Sequence, residues 1–534
     1  MPGGPWWREA VVYQIYPRSW ADGDGDGIGD LPGICARLDH LAGARESLGV
    51  DAIWLSPFYV SPMVDFGYDV SDHCAVDPTF GTLADFDALL RAAHERGIRV
   101  LVDYVPNHTS DQHPWFRDAR SSRLSRRRDW YVWADPAPGG GVPNNWLSTF
   151  AATGPAWTLD ACSGQYYLHS YSSAQPDLNW QNPDVRAAMI GVLQFWLDRG
   201  VDGIRIDAAH RLGKDPHLRD NPPELAGRRT DLDSNVRTRF RHIDHPPVHE
   251  ILRGLRRALN AYDGRVAVGE VGIADPTRIG CYYGVGDELQ LVFCFPLGQQ
   301  PFSAVAYRDT VAAIERALPR HAWPAYALSN HDLSRATSRL TGPGDFVARA
   351  RVAATLLLTL RGTPFLYYGE EIGMTDGSVP SEQAADPDGR DGCRTPMQWN
   401  GNPGAGFTTG GPWLPIPATA ATVNVANQLT NPSSLLNFYR QLIQLRRDTA
   451  ALRTGDYRPC AADPDVYAYR RHDLTDDVLI AANFSDSDRG YLDPQLPARG
   501  DRLLSSTGPS GDEIELGPLQ LRPLEATIIR LASG

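Results

Sequence analysis

Eight short runs of almost unbroken apolar residues recur along the first two-thirds of the chain. They constrain its fold more than any other feature. They are VVYQIYP (11–17), DAIWLSP (51–57), RVLVDYV (99–105), GIRID (203–207), VAVGEV (266–271), LVFCFP (291–296), WPAYALSNHD (323–332) and TPFLYYGEE (363–371). A strand with one wet face alternates polar and apolar residues, whereas a strand covered on both faces does not. Between the runs lie segments of helical period. DFDALLRAAHERG (85–97) puts Phe86, Leu89, Leu90 and Ala93 on one face and stops at Gly97. NPDVRAAMIGVLQFWLDRG (182–200) opens with an Asn cap followed by Pro and closes on Gly200, and VHEILRGLRRAL (248–259) repeats the apolar stripe. Eight buried strands alternating with helices predict an α/β fold closed as a (β/α)8 TIM barrel.

The spacing also predicts additions to that barrel. The gap between runs three and four exceeds one crossover, and residues 106–174, rich in Trp, Pro, Gly and Ser, read as an inserted subdomain after strand 3. The barrel then spans 1–105 and 175–455, with an irregular insert at about 374–425. After a helix near 434–448, DVYAYRR, DVLIAANF and ATIIRL alternate as strands of a C-terminal antiparallel β-sandwich over 456–534.

Catalytic groups of a barrel stand at the C-terminal ends of its strands. There the sequence places Asp103, Asn107 and His108 (strand 3), Arg205 and Asp207 (strand 4), Glu270 (strand 5), Asn330, His331 and Asp332 (strand 7), and Glu370 and Glu371 (strand 8). One rim thus gathers Asp207, Glu270 and Asp332. Glycoside cleavage needs one ionised carboxylate to attack carbon and one protonated carboxyl to release the leaving oxygen. Arg205, two residues before Asp207, is expected to hold that carboxylate ionised, and partial burial beside like charge to raise Glu270.

DYVPNH, GIRIDAAH, VGEV and SNHD resemble, in order and spacing, the four short sequence regions of glycoside hydrolase family 13, the α-amylase family. QPDLNW (175–180), WWREAVVYQIYPRSW, FGYDVSDH and GCRTPMQW resemble its α-glucosidase and oligo-1,6-glucosidase branch, so the resemblance covers essentially the whole chain. It implies a retaining enzyme with Asp207 as nucleophile, Glu270 as general acid and base, and Asp332 as stabiliser of the transition state. It implies that His108, Arg205 and His331 contact the glucose, that Asp65 and Tyr68 bind and stack on it, and that Arg394 binds it from the non-reducing side. Phe150 and Tyr171 match wall residues, Tyr171 standing where the branch has Phe. Ala208 matches a position where small residues accompany α-1,4 preference and Val accompanies α-1,6. The expected activity is exo-acting release of α-glucose from short α-1,4-glucosides such as maltose. The alternative is transfer of the same intermediate to a sugar or alcohol acceptor. A sucrose- or trehalose-directed member is a further variant, although the RLDRF stretch of sucrose isomerases is not seen. The non-catalytic barrels of transporter heavy chains lose the carboxylates that this chain keeps.

DGDGDGIGD (22–30) sets Asp22, Asp24, Asp26 and Asp30 among glycines, a pattern suited to a hard cation. It begins like an EF-hand loop, but Gly33 stands where the last Glu would be. Related glucosidases carry a divalent ion here. The resemblance therefore implies structural Ca²⁺ or Mg²⁺ held by the four aspartates and the Ile28 carbonyl, with no organic cofactor.

The partners follow from charge. A net charge of −13 disfavours nucleic acid and anionic membrane, and the basic stretch RLSRRRDW (123–130) reads as a solvated loop. No signal-peptide pattern opens the sequence and no 18-residue apolar run occurs in it. Seven scattered Cys without a CxxC indicate reduced thiols, hence a cytoplasmic protein acting on small oligosaccharides, as monomer or homodimer.

Overall fold

The structure, a computed structural model, describes residues 4–230, 239–342, 344–386, 388–508 and 511–532. All eight apolar runs form strands, and the strands close a parallel barrel. They are β1 (Val12–Ile15), β2 (Ala52–Leu55), β3 (Arg99–Tyr104), β4 (Gly203–Ile206), β5 (Val266–Gly269), β6 (Leu291–Phe293), β7 (Trp323–Ala327) and β8 (Thr363–Tyr367). Neighbours in the barrel are neighbours in sequence, and β8 pairs β1 to close the ring.

Each strand is buried on both faces, for two reasons. Alternate residues such as Val12, Trp54, Leu101, Val268, Phe293, Ala325 and Phe365 fill the barrel interior. Their sequence neighbours face the surrounding helices, where Phe86, Leu89, Leu193, Leu197, Leu252 and Leu357 belong to the larger core. Two of these helices begin where side chains cap them. Thr82 and Asp85 form a capping box at Leu83–Glu95, and Asn182 caps Pro183–Asp198 with Pro at its first position. Pro247–Leu259 turns Val248, Ile251, Leu252, Leu255 and Leu259 onto the barrel.

Between β3 and β4 the chain forms a helix, Pro114–Ser121, and a three-stranded sheet of Trp133–Ala134, Gln165–Leu168 and Trp157–Asp160. The basic stretch lies here, with Arg127 paired to Asp118 and Arg128 packed over the Trp133 ring. After Leu435–Asp448, six strands make a sheet ordered Asp456–Pro459, Val466–His472, Asp477–Asn483, Ala526–Leu531, Arg499–Ser505 and Glu513–Glu515. A two-stranded sheet, Arg489–Tyr491 with Leu519–Leu521, covers one face over Val466, Leu479, Tyr491, Leu519 and Ile529. The opposite face, through Tyr467, Tyr469, Ile480 and Ile528, joins the barrel core. No helix among the described residues is long and apolar enough to cross a membrane.

Candidate functional site

Strand register builds the site. In the parallel ladder Asp103 of β3 lies beside Arg205 of β4, and Ile206 beside Gly269 of β5. Each strand then ends one step later on a carboxylate, so Asp207 and Glu270 emerge side by side. Gly203 and Arg205 alternate onto the barrel interior, which answers why an apolar strand carries a charge. The guanidinium lies 5.1 Å above the Trp54 ring and caps the apolar interior at its catalytic end.

Arg205 is shared by three carboxylates. Its Nη1 donates to Asp103 Oδ1 (2.6 Å) and Asp207 Oδ1 (2.7 Å), and its Nη2 lies 2.9 Å from Glu270 Oε2. Asp103 is further bound by Trp54 Nε1 and the Tyr68 hydroxyl. One positive charge cannot hold three buried carboxylates ionised. Burial pushes Asp207 up to about 7 against the pull of Arg205, and pushes Glu270 up to about 7 in the same way. Arg205 therefore pulls Asp207 toward its ionised form, while burial pushes the other way and is the larger effect.

Asp332 is in the opposite state. Burial alone would raise it, but His331, Arg390 and Arg394 hold it well below the carboxylate range. His331 Nε2 stands 3.0 Å from Asp332 Oδ2. The Gln14 amide nitrogen lies 2.8 Å from His331 Nδ1, so Nδ1 accepts and Nε2 carries the proton donated to Asp332. The His331 ring stacks on Tyr68 at 5.2 Å with 5° between planes.

A cavity of about 300 Å³ opens over these groups, lined by Asp65, Tyr68, His108, Phe150, Tyr171, Asp207, Glu270 and Asp332, all singled out in the sequence. His210, Arg211, Phe295, Asn330, Leu333 and Arg390 also line it. Arg205 and His331 lie beneath its floor. Asp65 is fixed by Gln175 Nε2 (2.9 Å) and Arg390 Nη2 (2.6 Å). Arg390 also donates to Asp332 Oδ1 (2.9 Å) and grips Asp386, so it ties one wall of the cavity to the other.

Four positions differ from the sequence reading. The arginine that lines the cavity beside Asp65 is Arg390, which the sequence reading missed. Arg394, four residues on in the same tight turn, lies behind it, donating to the His331 carbonyl (2.8 Å) and Asp332 Oδ1 (3.1 Å). Gln14 was also missed, although a lone amide in an apolar strand was a usable signal. Ala208 is fully buried and does not line the cavity. Its backbone is left-handed (φ 46°, ψ 38°), which turns its N–H onto Glu270 Oε2 at 2.8 Å.

The acidic loop turns through left-handed glycines; a Cβ on Gly27 would sit 1.8 Å from the Gly411 carbonyl oxygen. Asp22, Asp24 and Asp30 bring carboxylate oxygens within 4.8 Å of one another, and hard oxygen donors of net negative charge fit Ca²⁺ or Mg²⁺. Asp26 stands outside that group and accepts from the Ile28 N–H.

The chain is similar to known proteins over most of its length. The family profile described as Alpha amylase, catalytic domain matches residues 14–455. A probable α-glucosidase of Rhizobium meliloti (strain 1021) is 43% identical, covering 91% of this chain and 90% of that protein. The oligo-1,6-glucosidase of Parageobacillus thermoglucosidasius is 39% identical, covering 98% and 99%. The crystal structure of the α-glucosyl transfer enzyme XgtA superposes with a TM-score of 0.89 at 40% identity, covering 99% of this chain and 100% of that one.

Proposed function

The chain belongs to the α-amylase catalytic-domain family, glycoside hydrolase family 13, and from that premise we propose that it is a retaining enzyme that transfers α-glucosyl units from α-glucosides to hydroxyl acceptors. The observation that carries the reading is the single guanidinium shared by Asp207 and Glu270. Carboxylates on neighbouring nitrogens of one arginine stand close, as retention requires; inversion needs a wider gap to admit water.

In this reading Asp207 attacks the anomeric carbon as the glycosidic C–O bond breaks. The departing oxygen takes its electron pair and the Glu270 proton, leaving a β-glucosyl ester on Asp207. Glu270, now ionised, takes the proton of an acceptor hydroxyl whose oxygen attacks the same carbon and releases Asp207. The cycle needs one proton on this pair, carried by Glu270 before Asp207 attacks and given up as the ester forms. Asp332, kept ionised by its three cationic and hydrogen-bonding neighbours, faces the positive charge of the transition state. The Asp65–Arg390–Asp332 bridge closes one end of the cavity and admits a single terminal glucose, which makes the action exo.

Transfer is favoured over hydrolysis by the walls: Phe150, Tyr171, Phe295 and Leu333 exclude water, and the three aromatic residues offer ring faces to an acceptor. The likeness to XgtA points the same way. Hydrolysis of short α-1,4-glucosides is the second reading, supported by the likeness to the Rhizobium protein. Product time courses with maltose, isomaltose, sucrose and trehalose at high concentration separate the two. Trisaccharides accumulating ahead of free glucose are expected; glucose alone from maltose would hand the case to hydrolysis.

The Asp22–Asp30 loop is proposed to hold a structural Ca²⁺ or Mg²⁺ through Asp22, Asp24 and Asp30. A ligand at a hundred times its Kd stabilises the folded state by about 2.7 kcal/mol. Millimolar Ca²⁺ or Mg²⁺ is therefore expected to raise Tm by a few degrees in the native chain and not in Asp24→Ala. Equal melting of both proteins with and without metal would remove the site.

A further inference from the structure

Among the described residues two arginines line the catalytic cavity, and only one has a counter-charge. Arg390 is held by Asp65, Asp332 and Asp386. Arg211 is 1% exposed and makes no ion pair among the described residues. Its Nη2 donates to Thr149 Oγ1 (2.6 Å) and lies 3.3 Å from the Arg229 carbonyl, while Nε and Nη1 have no partner. The nearby cations do not change this. Lys214 is spent on Asp177 (3.0 Å), and burial together with Arg211 pushes His210 down to about 3, so that imidazole is neutral.

Arg211 also has a defined place relative to the chemistry. It ends the short turn Ala209–Arg211 after β4, and that turn hangs on Glu270, whose carbonyl accepts from the Ala209 N–H. A row of stacked groups runs along one wall. Arg390 lies 5.1 Å over the Phe150 ring, Phe150 is 5.4 Å from Tyr171, and Arg211 lies 5.3 Å over Tyr171. Arg390 marks the closed end that holds the terminal glucose. Arg211 stands at the other end, on the side of the acid and base, where the leaving group departs and the acceptor arrives.

We propose that Arg211 recognises an anionic group, carboxylate or phosphate, on the acceptor or leaving group of the reaction. A desolvated guanidinium with no carboxylate partner is costly until an anion meets it. Nη1, which has no acceptor, can meet one oxygen of a carboxylate or phosphate, and Tyr171 beneath holds the planar head in place. The inference rests on the transfer reading above and names its acceptor class.

The test uses the full-length enzyme, 4-nitrophenyl α-glucoside as donor, and three matched acceptors: glycerol, glycerate and glycerol 3-phosphate. At least one anion is expected to accept glucose ten or more times as efficiently as glycerol, and the two anions tell carboxylate from phosphate. Arg211→Met is expected to abolish that preference and Arg211→Lys to keep part of it, with Tm measured for both. Equal transfer to all three acceptors overturns the proposal. So does an anion preference that survives Arg211→Met. If the donor is cleaved but nothing is transferred, inhibition of cleavage by the same compounds decides. Tighter inhibition by an anion than by glycerol, lost in Arg211→Met, sustains the proposal, and equal inhibition ends it. A failure to cleave the donor at all would instead overturn the proposed function.

Discussion

Asp207→Asn is expected to lower kcat by about 10⁴-fold or more on every α-glucoside, and at the same time to raise Tm. The first effect follows from removing the only group that forms a bond to the sugar. A loss of 10⁴ corresponds to about 5.5 kcal/mol of barrier, and nucleophile removal reaches or exceeds that elsewhere. The second follows from burial, which lifts Asp207 to about 7, whereas the carboxyl ionises near 4 in the unfolded chain. Between those values the folded state binds more protons than the unfolded state, so stability falls as pH rises through the window. Asparagine removes that term, and the gain in Tm is larger at pH 8 than at pH 5. Arg205 keeps Asp103 and Glu270 as partners in the variant. Glu270→Gln separates the second role: its loss of rate is expected to be severe for maltose and mild for a nitrophenyl glucoside, whose leaving group departs without a proton. Retention of a few per cent of the native kcat in Asp207→Asn would reassign the nucleophile.

The barrel was legible because its signal is local. Each strand announces itself by an apolar run, each helix by a stripe and a cap such as Asn182, and closure follows from their alternation. The carboxylates were legible because a barrel puts strand ends on one rim, so position along a strand stands in for position in space. What was not legible is pairing across sequence. Asp65 and Arg390 meet over 325 residues, and His331 meets Gln14 over 317. Arg390 and Arg394 sit in one turn of the same irregular insert, and spacing alone does not say which faces the cavity. The structure turns Arg390 outward to Asp65 and leaves Arg394 beneath, against the rings of Tyr16 and Phe66. The surroundings of Asp207 were legible only in part, for a related reason. Sequence shows one arginine beside one aspartate, while the ladder brings in Asp103 from one neighbouring strand and Glu270 from the other. The stretch 210–245, which follows β4, is described except for residues 231–238. Within it Arg211 was passed over, since nothing local marks an arginine as lacking a partner.

Arg205 is where fold and chemistry depend on the same side chain, and its removal should show both. Arg205→Leu keeps the apolar stem against Trp54 but strands Asp103, Asp207 and Glu270 without a cation. Breaking a buried ion pair at one partner costs about 3–5 kcal/mol, and here three acceptors lose it at once. Asp103, already raised to about 6 by burial, and the pair near 7 are expected to move further up. The sign of the pH dependence follows. Raised folded-state carboxyls bind protons that the unfolded chain releases near pH 4, so the variant is least impaired in acid and loses stability steadily toward pH 8. The difference in denaturant stability between native and Arg205→Leu chains should therefore widen from pH 5 to pH 8, together with a near-complete loss of kcat, since Asp207 loses the cation that favours its ionised, attacking form. Arg205→Lys supplies charge at a point, not as a planar fork, and cannot reach three acceptors on neighbouring strands. It is expected to recover part of the stability and little of the rate. A pH-independent stability loss in Arg205→Leu would mean that packing over Trp54, not charge, is what the arginine supplies.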